Sequence, residues 1–304
     1  MASPLVSVVI PAYNHEKFIG PAVDSVLQQT LDDFELIVID DGSRDSTGDI
    51  VQSYDDKRLS YTYQENRDAF NTINRGLGMA KGKYISILNS DDIYTTDRLE
   101  KLVAYQHEHR SQAIITDVIP IGDDGKEFTS PSFGWNQWHE KNRTFYKTCG
   151  DLYSVFLHGN LMVTTSNLFM TAEAMKKVGE FCSLRYLHDY DYIFRLMLSC
   201  PGAVHYLDNE KLVYYRIHSG NTLGEAAIIG REQDRDLIKK YMLKRIPEEL
   251  QEIVDAGSSR LVELEQELTE VRNILEPQHI SRGVRPALRE LIDSLNIWFR
   301  KKLA

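Results

Sequence analysis

Cysteine is scarce: Cys149, Cys182 and Cys200 are the only three in 304 residues, an odd number with no CxxC or Cys/His spacing. That excludes a disulfide framework and a thiolate zinc site, and it suits inert buried thiols in a reducing compartment. Long apolar runs are also missing, so nothing reaches the ~20 residues a bilayer-spanning helix needs. Met1-Ala2-Ser3-Pro4 leads straight into a strand-like run, without a basic segment or an apolar leader. Positive charge is not in excess, and a net charge of −10 argues against a global basic field for nucleic acid. The expected protein is soluble and cytoplasmic, with any membrane contact at the inner face of the plasma membrane.

What is present is a 42% hydrophobic composition, enough for a sizeable core. Up to about residue 110, short apolar runs alternate with helical spacing, as a parallel sheet with crossover helices requires. The runs Leu5–Ile10, Phe34–Ile39 and Lys83–Leu88 read as buried strands and Leu59–Gln64 as an edge strand. Glu16–Gln28, Ser43 or Asp45 to Tyr54, Ala69–Ala80 and Arg98–His109 read as the helices between them. Beyond Gln112 the pattern loosens: strand Ala113–Ile121, a turn at Asp123-Asp124-Gly125, and an aromatic loop from Phe133 to Tyr146. Then come strand-like Leu161–Met170, helices Thr171–Val178 and His188–Leu198, and strands Ala203–Leu207 and Leu212–Ile217.

Two acidic pairs follow strands, Asp40-Asp41 and Asp91-Asp92. The carboxyl ends of strands in an open α/β sheet face the ligand crevice, so both pairs should reach one rim. Adjacent carboxylates are unfavourable unless a cation or a hydrogen-bonding ligand joins them, and this points to a metal–diphosphate ligand.

Four segments then resemble one family in order and spacing. They are Val6 to Ile10 followed by Pro11-Ala12-Tyr13-Asn14; Asp40 to Thr47; Asn74-Arg75-Gly76 to Tyr84; and Asn89-Ser90-Asp91-Asp92. Together they resemble the family 2 glycosyltransferases over roughly residues 5–221. The resemblance implies an inverting enzyme of the GT-A (Rossmann-like) fold with a mixed central sheet. A UDP- or dTDP-linked sugar would be the donor, Mn2+ or Mg2+ the cofactor, and a hydroxyl of a bacterial surface glycan, glycolipid or glycoprotein the acceptor. Residues 1–223 would form that domain, with a nucleotide-binding half (1–110) and an acceptor half (111–223), and 224–304 a helical extension.

By the same resemblance, Pro11, Ala12, Tyr13 and Asn14 line the base pocket and Asp40 accepts the imide N–H of the base. Asp41 reads as the structural member of its pair. Asn66, Asn89 and Ser90 contact the nucleotide, Asp91 carries the metal, and Asp92 supports the metal or the ribose. Asn89 stands where the family has an Asp, which removes one carboxylate. His188-Asp189-Tyr190-Asp191 resembles the family's Glu-Asp segment, making Asp189 the general base, with Asp191 the alternative. Tyr215-Arg216-Ile217-His218 resembles a Tyr-Arg-x-His segment; His218 would ligate the metal or bond the diphosphate, and Arg216 would neutralise it. Trp135, Trp138, His158 and Asn160 fall where the family builds its acceptor site. Plainer roles stand beside these: a turn former for Asp40, an N-terminal helix acid for Asp189, a structural His218 and buried tryptophans.

The C-terminal stretch carries Leu261, Leu264, Leu268, Val271 and Leu275 in 3,4,3,4 steps, which fits a short coiled coil in a homo-oligomer or a core-packing helix. From Val284 a basic amphipathic pattern suits either an anionic bilayer surface or intramolecular docking. Competing readings are a sugar-nucleotide nucleotidyltransferase, although Val6–Asn14 lacks its glycine-rich basic loop, a receiver-like domain, and an inactive scaffold acting through its C-terminal helices.

Overall fold

The computed structural model describes residues 3–184, 187–218, 233, 235–242 and 248–275. The strands are β1 (Val6–Ala12), β2 (Phe34–Asp40), β3 (Leu59–Tyr63), β4 (Tyr84–Ile87), β5 (Ile93–Tyr94), β6 (Ala113–Ile121), β7 (Phe169–Thr171) and β8 (Val204–Arg216). The helices are α1 (Ile19–Leu27), α2 (Thr47–Gln52), α3 (Ala69–Met79), α4 (Arg98–His109), α5 (Gly134–Cys149), α6 (Leu152–His158), α7 (Ala172–Val178), α8 (His188–Ser199) and α9 (Glu248–Leu275). All eight strands join one mixed sheet in the order β3-β2-β1-β4-β7-β6-β8-β5.

Strand alternation sends β1 to two cores at once. Val6, Val8, Ile10 and Ala12 pack with α1 residues such as Ile19, Val23 and Val26, while Val9 packs against Ile73 and Leu77 of α3. Burial on both faces accounts for continuous apolar runs instead of alternation with polar residues. α3 lies so close to β1 that a Cβ on Gly76 would sit 2.3 Å from Val9 Cγ1.

The strand directions place the site. β1, β2, β3 and β4 run parallel, and β7 reverses against both β4 and β6. β6 and β8 therefore point the same way as β1, and β8 pairs parallel with β6. The chain after β1, β2, β4 and β8 thus emerges on one edge.

Several sequence expectations are corrected. Phe133–Tyr146 is not a loop: Gly134–Cys149 is a helix that buries His139 and Asn142 and ends at Gly150 in the left-handed region, φ 63°. Leu161–Met170 is not one strand, because Thr164 accepts from the Ser166 backbone and opens a 3-10 turn, leaving only Phe169–Thr171 paired. The two strands at 203–217 are one strand with a bulge, where Leu207 pairs with Thr116 and Lys211 with Asp117. Cys200 is buried as expected, but Cys149 is exposed at the end of α5.

The chain after β8 returns to the core. Leu237 and Tyr241 are buried in it, and the Tyr153 hydroxyl donates to the Tyr241 carbonyl at 2.7 Å. In α9, Val262 is buried whereas Leu261 and Leu264 of the 3,4 stripe are exposed. The side chains of Leu268, Val271 and Leu275 and the basic stretch from Val284 lie outside the described residues. No described helix is long and apolar enough to cross a membrane.

Candidate active site

The shared strand edge opens into a cleft of about 870 Å³. Its walls come from Pro11–Phe18 at and beyond the end of β1, Asp41 and Asp45 after β2, Asn66, Asp68, Ala69, Thr72 and Ile73, Asn89–Asp92 after β4, Asn160 and Val163–Thr165, His188 and Asp189, and Tyr215 and His218.

On the β2 side the two acids divide differently from expectation. Asp40 is 2% exposed and does not line the cleft: one oxygen accepts from the Ser43 N–H at 2.8 Å and the other from the Tyr61 hydroxyl at 2.8 Å. Asp41 lines the cleft, its Oδ1 held by Gln64 Nε2 at 2.6 Å and by the Arg67 N–H at 2.9 Å. The physical reason is alternation: Asp40 ends β2 pointing toward α2, so the next residue faces the opening. Gly42 must be glycine here, since φ is 83° and a Cβ would meet the Asn66 nitrogen at 2.9 Å. This packs the turn against Asn66, another cleft residue.

Asn14 adopts φ 51° and its side chain accepts from the Arg44 N–H, while its own N–H donates to Ser43 Oγ. Two loops are thereby locked together, leaving Tyr13 45% exposed on the cleft wall.

Asp91 and Asp92 also separate. Asp92 is 1% exposed with every oxygen occupied: Oδ2 accepts from Thr164 Oγ1 at 2.9 Å and Ser166 Oγ at 2.5 Å, and Oδ1 from the Arg216 N–H at 2.9 Å. Burial, then the neighbouring Asp91 charge, push its carboxyl up to about 7. It borders the cleft as a brace, both oxygens already held by protein donors, so Asp91 is the better placed of the two to meet an ion. Asp91 instead meets His218, Nε2 to Oδ2 at 3.1 Å, and the hydrogen bond to Asp91 holds the His218 imidazole above its ordinary value. His15 completes the group: donor atoms of His15, Asp91 and His218 lie within 4.8 Å of one another. Burial pushes the His15 imidazole down. Metal–ligand distances of about 2.1 Å put ligand atoms up to about 4.2 Å apart on one ion, so small rotations would close this set on a cation. The residues fit a divalent ion. His15 escaped the sequence reading because it sits in a turn with no second ligand nearby in the chain.

Asn89 donates to Thr164 Oγ1 at 3.0 Å, and Ser90 Oγ lies 2.7 Å from His15 Nδ1. Arg216 does not line the cleft. Its guanidinium donates to the carbonyls of Asp91 at 2.8 Å, Gly122 at 2.7 Å and Asp123 at 3.1 Å, so it fastens the Asp91 loop instead of facing a ligand. Arg98, also missed by sequence, is a fully buried cation that donates to the Asn167 carbonyl at 2.9 Å and lies 4.6 Å over the Tyr94 ring. It braces the turn that supports Asp92.

Asp189, in the first turn of α8, lines the same cleft. It is 8% exposed; burial raises its carboxyl above the ordinary value against the bonds from the Tyr190 N–H and the Asn160 amide. Asp191 is unfit as its alternative. It is 0% exposed and accepts from Arg195 at 2.7 Å, Lys240 at 2.7 Å and the Tyr241 hydroxyl at 2.5 Å. Burial acts upward on it, but these bonds together with Cys182 outweigh burial and hold it down at about 2.

Of the expected acceptor residues, Asn160 lines the cleft and three do not. Trp135 stacks between His139, centroids 5.0 Å apart, and Tyr215, 5.9 Å. Trp138 is 40% exposed away from the opening, and His158 stacks on Phe145 at 4.4 Å. Trp135 of α5 and His158 of α6 are thus used in packing.

Comparison with known proteins agrees with this geometry. The model of the family described as Glycosyl transferase family 2 matches residues 7–168. An uncharacterized glycosyltransferase of Rickettsia prowazekii is 33% identical over 249 residues, covering 82% of this chain and 74% of the relative. The putative teichuronic acid biosynthesis glycosyltransferase TuaG of Bacillus subtilis is 38% identical over 125 residues, 40% of this chain and 50% of TuaG. Among solved structures, S. aureus TarS 1-349 in complex with UDP-GlcNAc superposes with a TM-score of 0.61 at 19% identity, covering 85% of this chain and 70% of that one. The mannosyltransferase PcManGT from Pyrobaculum calidifontis, in complex with GDP-Man and Mn2+, gives 0.60 at 15% identity, covering 97% and 81%. These structures share the GT-A fold, and the receiver-like and nucleotidyltransferase readings fall away. A mixed sheet whose strand ends bring Asp41, Asp91 and His218 into one cleft with Asp189 of α8, and a family match over more than half of its length, lead to one conclusion: the chain belongs to glycosyl transferase family 2.

Proposed function

We propose that this cleft transfers a sugar from a nucleoside-diphosphate donor, UDP- or dTDP-linked, to a hydroxyl of a bacterial surface glycan or glycoprotein, with inversion at the anomeric carbon. The observation that carries the reading is one cleft walled by Asp91 and His218 at one place and Asp189 at another. Neighbours of the same fold hold UDP-GlcNAc or GDP-Man, and TuaG is assigned to teichuronic acid, which supports a nucleotide-sugar donor and a surface glycan.

Asp189 accepts the proton of the acceptor hydroxyl as its oxygen bonds to the anomeric carbon and the bond to the diphosphate oxygen breaks. A raised carboxyl is better matched to that task than an ordinary one, because a base works best with a pKa closer to the working pH. Asn160 orients it. Asp41, in place of Asp40, reaches the nucleobase, with the Tyr13 ring on the same wall. When held by Asp91 and His218, Mn2+ or Mg2+ supplies positive charge against the departing diphosphate.

The reading is tested by donor hydrolysis over a panel of UDP-, dTDP- and GDP-sugars, in which water replaces the acceptor. Asp189→Asn should lower the rate by about 10²–10⁴-fold while leaving nucleotide affinity unchanged. For the wild type, activity should fall as pH drops through a value above the ordinary Asp value of 3.8, since only the deprotonated carboxylate is a base. An Asp189→Asn enzyme as fast as wild type would remove the base from the mechanism.

A further inference from the structure

We propose that His15 is a third protein ligand of the ion in the cleft, giving a two-histidine, one-carboxylate set that favours a first-row transition-metal ion over Mg2+. The inference rests on the reading above, in which Asp91 and His218 hold the ion.

The ring is built into place from both sides. Asn14 turns the chain through φ 51°, the His15 N–H donates to Thr47 Oγ1 at 2.9 Å, and the His15 carbonyl accepts from the Phe18 and Ile19 N–H groups at 2.9 Å each. The backbone is therefore fully engaged before the side chain does anything. Nδ1 then lies 2.7 Å from Ser90 Oγ, and Ser90 is 2% exposed and adjacent in sequence to Asp91. With Nδ1–H donating to Ser90, Nε2 keeps its lone pair. Metal-binding histidines are oriented in this manner, the second ring nitrogen held by a polar partner that fixes the tautomer.

The rings of His15 and His218 stand 6.0 Å apart at 80°, with Phe18 against both, 5.9 Å from His15 and 4.9 Å from His218. Among the described residues no other three His, Cys, Asp or Glu side chains converge in this way. Imidazole nitrogen suits transition metals, whereas Mg2+ favours oxygen and water. A second nitrogen donor therefore discriminates between two ions that Asp91 alone would accept.

The 304-residue chain is titrated with Mn2+, alone and with UDP, following free Mn2+ by electron paramagnetic resonance and counting coordinated imidazole nitrogens by electron spin echo modulation. Wild type should show two imidazoles. His15→Gln should show one and bind Mn2+ at least about tenfold more weakly, while Mg2+ affinity, measured by competition, changes little. Ser90→Ala should keep two imidazoles but weaken binding. One imidazole in wild type, or an unchanged count and affinity in His15→Gln, overturns the proposal. Should His15→Gln fail to melt as wild type does, the wild-type nitrogen count decides on its own. Absence of Mn2+ binding in wild type with and without UDP would overturn the metal reading itself, an outcome distinct from Mn2+ held by one imidazole.

Discussion

Adjacent acids that look interchangeable in the sequence have different duties in the fold. Asp41 and Asp91 open onto the cleft, Asp40 is turned away from it, and Asp92, although it borders the cleft, has both oxygens held by protein donors. The strand-end placement of both pairs was legible, because acids after buried apolar runs can be seen in one dimension. Which member faces out was not, since that depends on Tyr61, Thr164 and Ser166, partners 21 to 74 residues away. The division is testable by paired substitution. Asp41→Ala should weaken UDP binding with little change in melting temperature. Asp40→Ala should leave a part-buried N–H and a hydroxyl unpaired and destabilise the fold by about 1–2 kcal/mol. Calorimetric titration and thermal unfolding of both variants check this, and a fold weakened by Asp41→Ala with UDP binding unchanged would reverse the assignment.

At the scale of elements, α8 connects the chemistry to the C-terminal chain. Its first turn presents Asp189 to the cleft, and two residues on Asp191 holds Arg195 of the same helix and Lys240 and Tyr241 from the turn Ile238–Met242. Asp191→Ala takes the carboxylate from Arg195 and from the Tyr241 hydroxyl, while Lys240 stays half in solvent, and should destabilise the protein by about 1.5–3 kcal/mol, the range for hydrogen bonds to a charged group. Amide exchange should quicken in Ile238–Met242 as well as in α8. Because the Asp191 carboxyl is held down at about 2, its contribution is present above the ordinary 3.8 and is lost as pH falls through about 2. Wild type should therefore lose more stability than Asp191→Ala between pH 4 and pH 2 in acid unfolding followed by circular dichroism. This latch was invisible in the sequence, where 49 residues separate Asp191 from Lys240. The helix α5 was missed for a related reason: aromatic density suggested a sugar-binding loop, yet Trp135 and His139 are one helical turn apart and stack on each other.

For the whole molecule, residues 1–110 were legible because each strand and each crossover helix is a local pattern, and parallel strands force their ends to one edge. Residues 111–223 were less so. There a 3-10 turn and a bulged strand depend on side chains that compete with regular pairing, and the turn is held by Arg98 from the first half. The unifying claim is that the edge so formed binds a nucleotide diphosphate through an ion held by Asp91. Calorimetric binding of UDP and GDP, with Mn2+ and with EDTA, to wild type and Asp91→Ala measures it most directly. The account predicts binding to wild type that EDTA abolishes, and about a hundredfold loss of Mn2+-dependent affinity in Asp91→Ala. Equal affinity for the nucleotide in both proteins, indifferent to the chelator, would contradict it.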